Sequence, residues 1–279
     1  MSVLDPPLSS RQKRRYRNSS KLNTIHNQLQ AYVSGFGDEA GTAVFSELLQ
    51  NADDAKASTV VFSFFPEYLE VRNDSVFTDA DFDNITELMS RGKEHEPGKT
   101  GTFGTGFIST YHFTDSPYLA SRGEWMVFDP TRDELDGDSS DIRDGTIFRF
   151  PWRREETEIA RAIGARTWSD ADVTKIRDSL GPILYRLAIF LRHVRVIEVY
   201  EGEANLLYRV SRLLSETANF KGVTREYWEI SYSESAHQST VDPWLYYTTT
   251  IPEQDAPSRS TIKDFTATLA FPVQPRPWL

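Results

Sequence analysis

Glu47-Leu48-Leu49-Gln50-Asn51-Ala52-Asp53-Asp54-Ala55 is the stretch of sequence that decides the fold of this chain. Glu47, Asn51 and Asp54 are spaced i, i+4 and i+7, which places them on one face of a helix predicted over residues 40–56. Two carboxylates and an amide on one face indicate a helix that lines a polar cavity. An amide oxygen suits Mg²⁺, which prefers oxygen ligands, and a carboxylate one turn earlier can accept a proton from an attacking water.

A glycine-rich segment, Gly98-Lys99-Thr100-Gly101-Thr102-Phe103-Gly104-Thr105-Gly106-Phe107, follows later in the chain. Glycines let backbone N–H groups approach an anion closely. The segment leads into a helix predicted from Phe107, and the free N–H groups of a helix N-terminus attract phosphate. The segment is neither a Walker A sequence nor a dinucleotide fingerprint. It therefore indicates a backbone cradle for an anion of another kind.

Together the two segments resemble the GHKL ATPase superfamily, which includes gyrase-type topoisomerases, the ninety-kilodalton heat-shock chaperone, MutL-type repair proteins and histidine kinases. The E-x-x-x-N-x-x-D-A motif is complete, and the glycine segment has the G-x-F-G-x-G-F form of the chaperone branch. Asp144-Gly145-Thr146-Ile147 is similar to the late GT segment of the family. The sacsin branch is the most similar, over about residues 22–200. The phrases that carry this resemblance are residues 47–55, 104–117, 128–130 and 190–199.

The resemblance implies that the chain binds ATP or ADP with Mg²⁺, and it assigns roles to individual residues. Glu47 would be the general base, Asn51 would bind Mg²⁺ and phosphate oxygens, and Asp54 would support the pocket. Thr146 would form hydrogen bonds around the adenine. The other implied nucleotide-binding residues lie in the phosphate-binding lid and beside it: Met89, Lys93, Lys99, Gly101, Thr102, Phe103, Gly104, Thr105, Gly106 and Phe107. Two of them, Lys93 and Lys99, could equally belong to a solvated loop.

One segment departs from the family pattern. The family carries Asp-x-Gly-x-Gly, whose Asp accepts a hydrogen bond from the adenine amino group, whereas this chain has Val71-Arg72-Asn73-Asp74-Ser75-Val76-Phe77-Thr78 without either glycine. Strand alternation places Asn73 on the same face as Leu69 and Val71, so Asn73 is the first candidate for the adenine contact and Asp74 the alternative. An amide both donates and accepts, so the preference for adenine is less strict than with an Asp.

The expected fold class is α+β: a two-layer sandwich of the Bergerat type, with a mixed, mostly antiparallel sheet and helices on one face. We expect a flexible basic arm over 1–20, the ATP-binding domain over 21–205 and a β-rich extension over 206–279. The extension could either continue the main sheet or form a separate appendage. Periodicity predicts helices at 22–34, 40–56, 79–90, 107–113 and 170–192, and Pro182 suggests a kink or a break in the last one. The predicted strands are 59–65, 68–72, 118–121, 124–129, 145–150, 194–200, 205–210, 226–233, 244–251 and 264–272.

Composition narrows the functional classes. The chain has 279 residues and a formal net charge of −10, which argues against general nucleic-acid binding, although the basic run 11–17 leaves a local contact with nucleic acid or a partner open. The absence of cysteine excludes disulfides and thiolate metal sites. The sequence carries neither a signal peptide nor a membrane span, so we expect a cytoplasmic protein.

Three functions follow from these features. The first is slow ATP hydrolysis that drives a lid or dimer switch in a homodimer or a larger multidomain system, with a chaperone-like or a defence and signalling role by family analogy. The second is a nucleotide-binding scaffold or sensor without useful hydrolysis, which the missing glycines favour. A histidine kinase is the weakest, because no dimerisation helix with a phospho-accepting His precedes the pocket.

Overall fold

The computed structural model describes residues 18–36, 40–91, 105–131, 136–137, 140–220, 222–234, 240–252 and 264–273. Its α-helices are α1 Asn18–Phe36, α2 Ala40–Asp54, α3 Asp79–Arg91, α4 Thr105–Ile108, α5 Glu158–Ile163 and α6 Asp170–Ala188, and a 3-10 helix, Ser109–His112, follows α4. The strands are β1 Thr59–Phe64, β2 Tyr68–Asn73, β3 Tyr118–Ser121, β4 Glu124–Val127, β5 Asp136–Gly137, β6 Thr146–Pro151, β7 Val196–Glu201, β8 Asn205–Phe220, β9 Val223–Glu234, β10 Thr240–Pro252 and β11 Asp264–Pro272.

All of these strands form one sheet in the order β11-β10-β9-β8-β7-β1-β2-β6-β3-β4-β5. β1 and β7 are parallel, and the other neighbouring pairs are antiparallel. The predicted fold class is therefore confirmed as α+β with a mixed, mostly antiparallel sheet. β8 to β11 continue the sheet beyond β7, while the predicted division of the chain into domains stays a prediction.

The register of the central strands defines which side chains face the helices. Val60 of β1 lies opposite Asn73 of β2, and Asn73 lies opposite Thr146 of β6. Residues directly opposite each other point to the same face of a sheet, so these three side chains lie together. The same face carries the apolar residues that form the main core with the helices: Phe62, Phe64, Leu69, Val71, Phe148, Phe150, Ile197 and Val199.

The opposite face of the central strands carries a buried charge. Glu70 is 1% exposed and accepts a hydrogen bond from Arg149 Nε at 2.7 Å and another from Arg72 Nε. Each partner satisfies one carboxylate oxygen, as a buried charge requires. The two faces of the sheet are thus chemically distinct.

Helix α6 ends at Ala188, four residues before the predicted end at 192. The Phe190 N–H turns back to the Leu187 carbonyl at 3.0 Å, an i to i−3 bond that tightens the last turn. The N–H groups of residues 192–194 then bond to the carboxylate of Asp53 in α2. These donors are taken by a side chain, so the helix does not continue.

Candidate functional site

Helix α2 presents two different faces, and one of them forms the wall of a cavity. Its buried stripe consists of Phe45, Leu49 and Ala52, which belong to the main core. Glu47 and Asn51 lie to one side of that stripe and are half-buried. The cavity that Asn51 enters lies between α2, the helix face of the sheet and the start of α4, and its empty space amounts to about 490 Å³ including the part open to solvent. The space inside it that a water-sized sphere can occupy is about 20 Å³, room for about one water molecule.

The cavity walls are mostly apolar, with a few polar groups at defined places. The residues that line it are Leu48, Asn51, Ala52, Ala55, Val71, Asn73, Ser75, Val76, Phe77, Asp81, Phe107, Thr146 and Phe148. Four predicted site residues on different elements therefore meet in one cavity: Asn51, Asn73, Phe107 and Thr146.

Asn73 lies at the end of β2 and faces the cavity. Its Oδ1 accepts a hydrogen bond from the Ser75 backbone N–H at 3.0 Å, which fixes the amide at the turn that follows the strand. The Nδ2 group, which only donates, takes no part in this bond.

Asp74, the alternative candidate, is held away from the cavity. Its Oδ1 accepts the backbone N–H groups of Ser58 at 2.7 Å and Thr59 at 3.0 Å, and its Oδ2 accepts the Ser58 hydroxyl. Burial acts to raise the pKa of Asp74, but these hydrogen bonds outweigh it and the pKa is lowered. A carboxylate with these partners is suited to joining β1 and β2 rather than to binding a base.

Hydrogen bonds fix the side chain of Thr146, which lies opposite Asn73, the first candidate for the adenine contact. Its Oγ1 lies 2.7 Å from the Ser75 carbonyl oxygen and 3.0 Å from Ser121 Oγ. Ser121, which the sequence did not indicate, is fully buried and also binds the Phe77 N–H at 3.1 Å. Gly145 precedes Thr146 with φ +85°, and a Cβ there would collide with the Asn73 carbonyl. The glycine of the GT pair thus permits the close approach of two strands.

Glu47 lies beside Gly106, near the end of the glycine-rich segment. A Cβ on Gly106 would collide with Glu47 Oε2, so the glycine lets the carboxylate approach the α4 backbone. Burial raises the pKa of Glu47 above its ordinary value. A half-buried carboxylate with a raised pKa is a better proton acceptor than a solvated one.

Asp54 was predicted to share a helix face with Glu47 and Asn51, but it does not line this cavity. It is exposed at the end of α2, and its pKa is raised by partial burial and then by the neighbouring charge of Asp53. Its predicted supporting role stays untested.

Asp53 is a structurally important residue that was not predicted from the sequence. It is 7% exposed and accepts backbone N–H groups from Arg192 at 2.9 Å, His193 at 2.7 Å and Val194 at 2.9 Å. It ties the cavity helix to the chain just before β7. The available signal was its spacing, because Asp53 falls four residues after Leu49 on the buried stripe of α2.

The remaining predicted site residues are not placed by the described part of the chain. Lys93, Lys99, Gly101, Thr102, Phe103 and Gly104 lie outside the described residues. Met89 and Thr105 lie in α3 and α4, but only their backbone is described. The lid therefore stays a prediction. Among the described residues there is no group of three or more His, Cys, Asp or Glu that could hold a metal ion.

Comparison with known proteins identifies a family model and a protein to which this sequence is similar. A family model, that of the Sacsin domain, matches residues 65–143. Sacsin of Homo sapiens is 31% identical over 232 residues, a match that covers 64% of this chain and 5% of sacsin. Over the matched residues, this chain is similar to part of sacsin. The resemblance that the sequence motifs indicated is thereby confirmed, and the match spans only a small part of the length of that relative.

Among solved structures, the Aquifex aeolicus MutL ATPase domain complexed with ADP matches with a TM-score of 0.39 and 12% identity, covering 67% of this chain and 74% of that chain. The range matched by the Sacsin-domain model includes the atypical Asn73 segment and the glycine segment. None of the helices in the described part of the chain could span a membrane.

Proposed function

We propose that this chain binds ATP with Mg²⁺ in the cavity between α2 and the sheet, and that it hydrolyses ATP slowly. The observation that carries the proposal is the meeting of Asn51, Asn73 and Thr146 in one cavity. The carboxylate of Glu47 lies at the neighbouring Gly106. The base would lie against Asn73 and Thr146, and the phosphates would extend towards Asn51 and Gly106.

Asn51 fits the metal that the proposal requires. Mg²⁺ is commonly held by one or two protein oxygens together with substrate phosphates and waters, and the amide oxygen of Asn51 is such a donor inside the cavity. When bound, Mg²⁺ neutralises charge on the phosphate oxygens.

Glu47 would supply the chemistry of hydrolysis. Its carboxylate would take a proton from a water while that water forms a bond to the terminal phosphorus and the bond to the ADP oxygen breaks. Its raised pKa favours this proton transfer. Nucleotide binding would order the lid and alter a partner or dimer contact, with a chaperone-like or a signalling role.

A nucleotide-binding scaffold or sensor without useful hydrolysis is the second candidate. Ser75 and Phe77 stand where the family has its glycines, and both line the cavity. Their side chains take up space at the base end that glycines would leave open. Measurement of hydrolysis separates this candidate from the first.

The proposal is tested by isothermal titration calorimetry with ATP, ADP and GTP in the presence of Mg²⁺. The wild-type chain should bind ATP, and Asn51→Ala should bind it about 10- to 100-fold more weakly, because a hydrogen bond to a charged group contributes about 1.5–3 kcal/mol. Gln50→Ala is the matched control, since Gln50 is exposed on the same helix, and it should bind like the wild type. If the wild-type chain binds none of the three nucleotides, both candidate functions fail.

A further inference from the structure

The strands beyond β7 turn one face towards helix α6 and the other face away from it. Tyr208 of β8 donates to the Asp178 carbonyl oxygen of α6 at 3.1 Å, and Tyr246 of β10 donates to the Ile189 carbonyl oxygen just after α6 at 2.5 Å. Successive side chains of a strand point to opposite faces. Tyr247 and Leu269, which lie opposite each other on β10 and β11, therefore point away from α6.

The face turned away from α6 is apolar and exposed. Of the eleven large apolar side chains that are exposed among the described residues, six project from it, with exposed fractions between 38% and 71%. The half-buried Tyr227 and Leu245 lie between them. We call these six residues the outer patch: Leu213, Phe220, Val241, Tyr247, Leu269 and Phe271.

The area of the outer patch matches what a stable interface needs. A fully exposed large side chain presents about 150–200 Å², so the six at their exposed fractions present roughly 500–650 Å² of mainly apolar surface. The largest apolar patch of a typical monomer covers about 300–600 Å². A standard interface buries about 800 Å² per partner, of which about 60% is apolar. The outer patch alone supplies that apolar share.

The charged residues among the same rows of side chains favour a second copy of this chain as the partner. Arg225 donates to Glu216 at 3.1 Å, and Glu229 lies opposite Leu213. Two-fold packing sets a surface against itself, so the arginine of each copy can meet the glutamates of the other. An anionic membrane surface or a nucleic acid would instead require clustered Lys and Arg. The chain as a whole carries a net charge of −10, so two copies repel each other less at this mixed patch than elsewhere.

We propose that the outer patch is the interface of a two-fold symmetric dimer, in which the β8–β11 sheets of two copies pack face to face. Packed sheets of this kind lie about 10 Å apart with interdigitating side chains. The sheet face that bears α6 and the cavity beside α2 stay outside the interface. The inference therefore goes beyond nucleotide binding and does not depend on it.

The test is sedimentation velocity of the nucleotide-free chain over a range of concentrations. The wild type should form a dimer, and Leu269→Glu should raise the dimer dissociation constant by about 30-fold or more, the effect of losing a central interface residue. Thr268→Glu is the matched control. Thr268 is exposed on the same strand and lies opposite Thr248 on the α6 side, so this variant carries the same charge on the other face and should dimerise like the wild type.

A second variant and a second readout keep the test decisive. Leu213→Lys changes another strand of the outer patch, and it replaces Leu269→Glu if circular dichroism shows that the latter does not fold. The chain has no cysteine, so Leu213→Cys carries one spin label per copy and should show dipolar coupling between the two copies. A wild-type chain that stays monomeric at every soluble concentration overturns the inference. A dimer that folded Leu269→Glu and Leu213→Lys both retain overturns it too, because its interface then lies elsewhere.

Discussion

Replacing Glu47 with alanine should lower the rate of ATP hydrolysis by about 100-fold or more, because a positioned general base contributes about 10²- to 10⁴-fold to a rate. ATP affinity should stay within about threefold of the wild type, since Asn51, Asn73 and Thr146 still line the cavity. The measurement is steady-state phosphate release combined with calorimetric binding of ATP. Loss of rate with retained affinity is the pattern expected of a residue that acts only in the chemical step.

The control for this variant is Glu67→Ala. Glu67 is an exposed glutamate between β1 and β2, and its replacement removes the same charge without touching the cavity. Equal rates for the wild type and Glu47→Ala would remove Glu47 from the mechanism. A wild-type chain that binds ATP with no measurable hydrolysis would favour the scaffold or sensor function.

Replacing Arg153 with methionine should lower the free energy of unfolding by about 3–5 kcal/mol, the usual effect of removing one partner from a buried ion pair. Arg153 is 4% exposed, and its Nε donates to Asp115 Oδ1 at 2.7 Å. Its other N–H groups donate to backbone carbonyls of the segment that follows α4 and to the backbone carbonyl of residue 166. These acceptors are Tyr111 at 2.8 Å, Thr114 at 2.8 Å, His112 at 3.3 Å and Arg166 at 2.9 Å.

Methionine fills a similar volume but leaves these carbonyls and the Asp115 carboxylate without their donor, which is why the loss is large. Urea unfolding followed by tryptophan fluorescence measures the loss in the free energy of unfolding. Arg161→Met is the control, because Arg161 is 60% exposed in its ion pair with Glu156 and should lose less than about 1 kcal/mol. If Arg153→Met proves too unstable to purify, Arg153→Lys should show an intermediate loss. A change below about 1 kcal/mol for Arg153→Met would mean that this network does not stabilise the fold.

The elements around the cavity could be predicted because their periodicity is local. The face of Glu47 and Asn51 follows from helical spacing alone. Strand alternation from Leu69 and Val71 places Asn73 on the helix side of the sheet, and the register of β2 with β1 and β6 has it there. Local patterns of this kind do not depend on which distant segment completes the structure.

What could not be predicted depends on partners far away in the sequence. Asp53 looks like one more acidic residue of α2 until the N–H groups of residues 192–194 meet its carboxylate. The same contact ends α6 earlier than its apolar pattern suggests. Arg153 likewise gives no sign in the sequence of its bonds to residues 111–115.

The late strands show the limit in another way. β8 extends from Asn205 to Phe220, ten residues beyond the predicted end at 210, because β9 pairs with it along that length. The outer half of β8 is mostly exposed and lacks the alternation of a half-buried strand. Its backbone pairing, rather than its side-chain pattern, makes it a strand.

The cavity between α2 and the sheet should hold the nucleotide, and a crystal structure with a non-hydrolysable ATP analogue and Mg²⁺ would show where it binds. The predicted result has the base against Asn73 and Thr146, Asn51 at the metal, and the terminal phosphate beside Glu47 and Gly106. An analogue bound outside this cavity, or a base that faces Asp74 on the other side of the sheet, would contradict it.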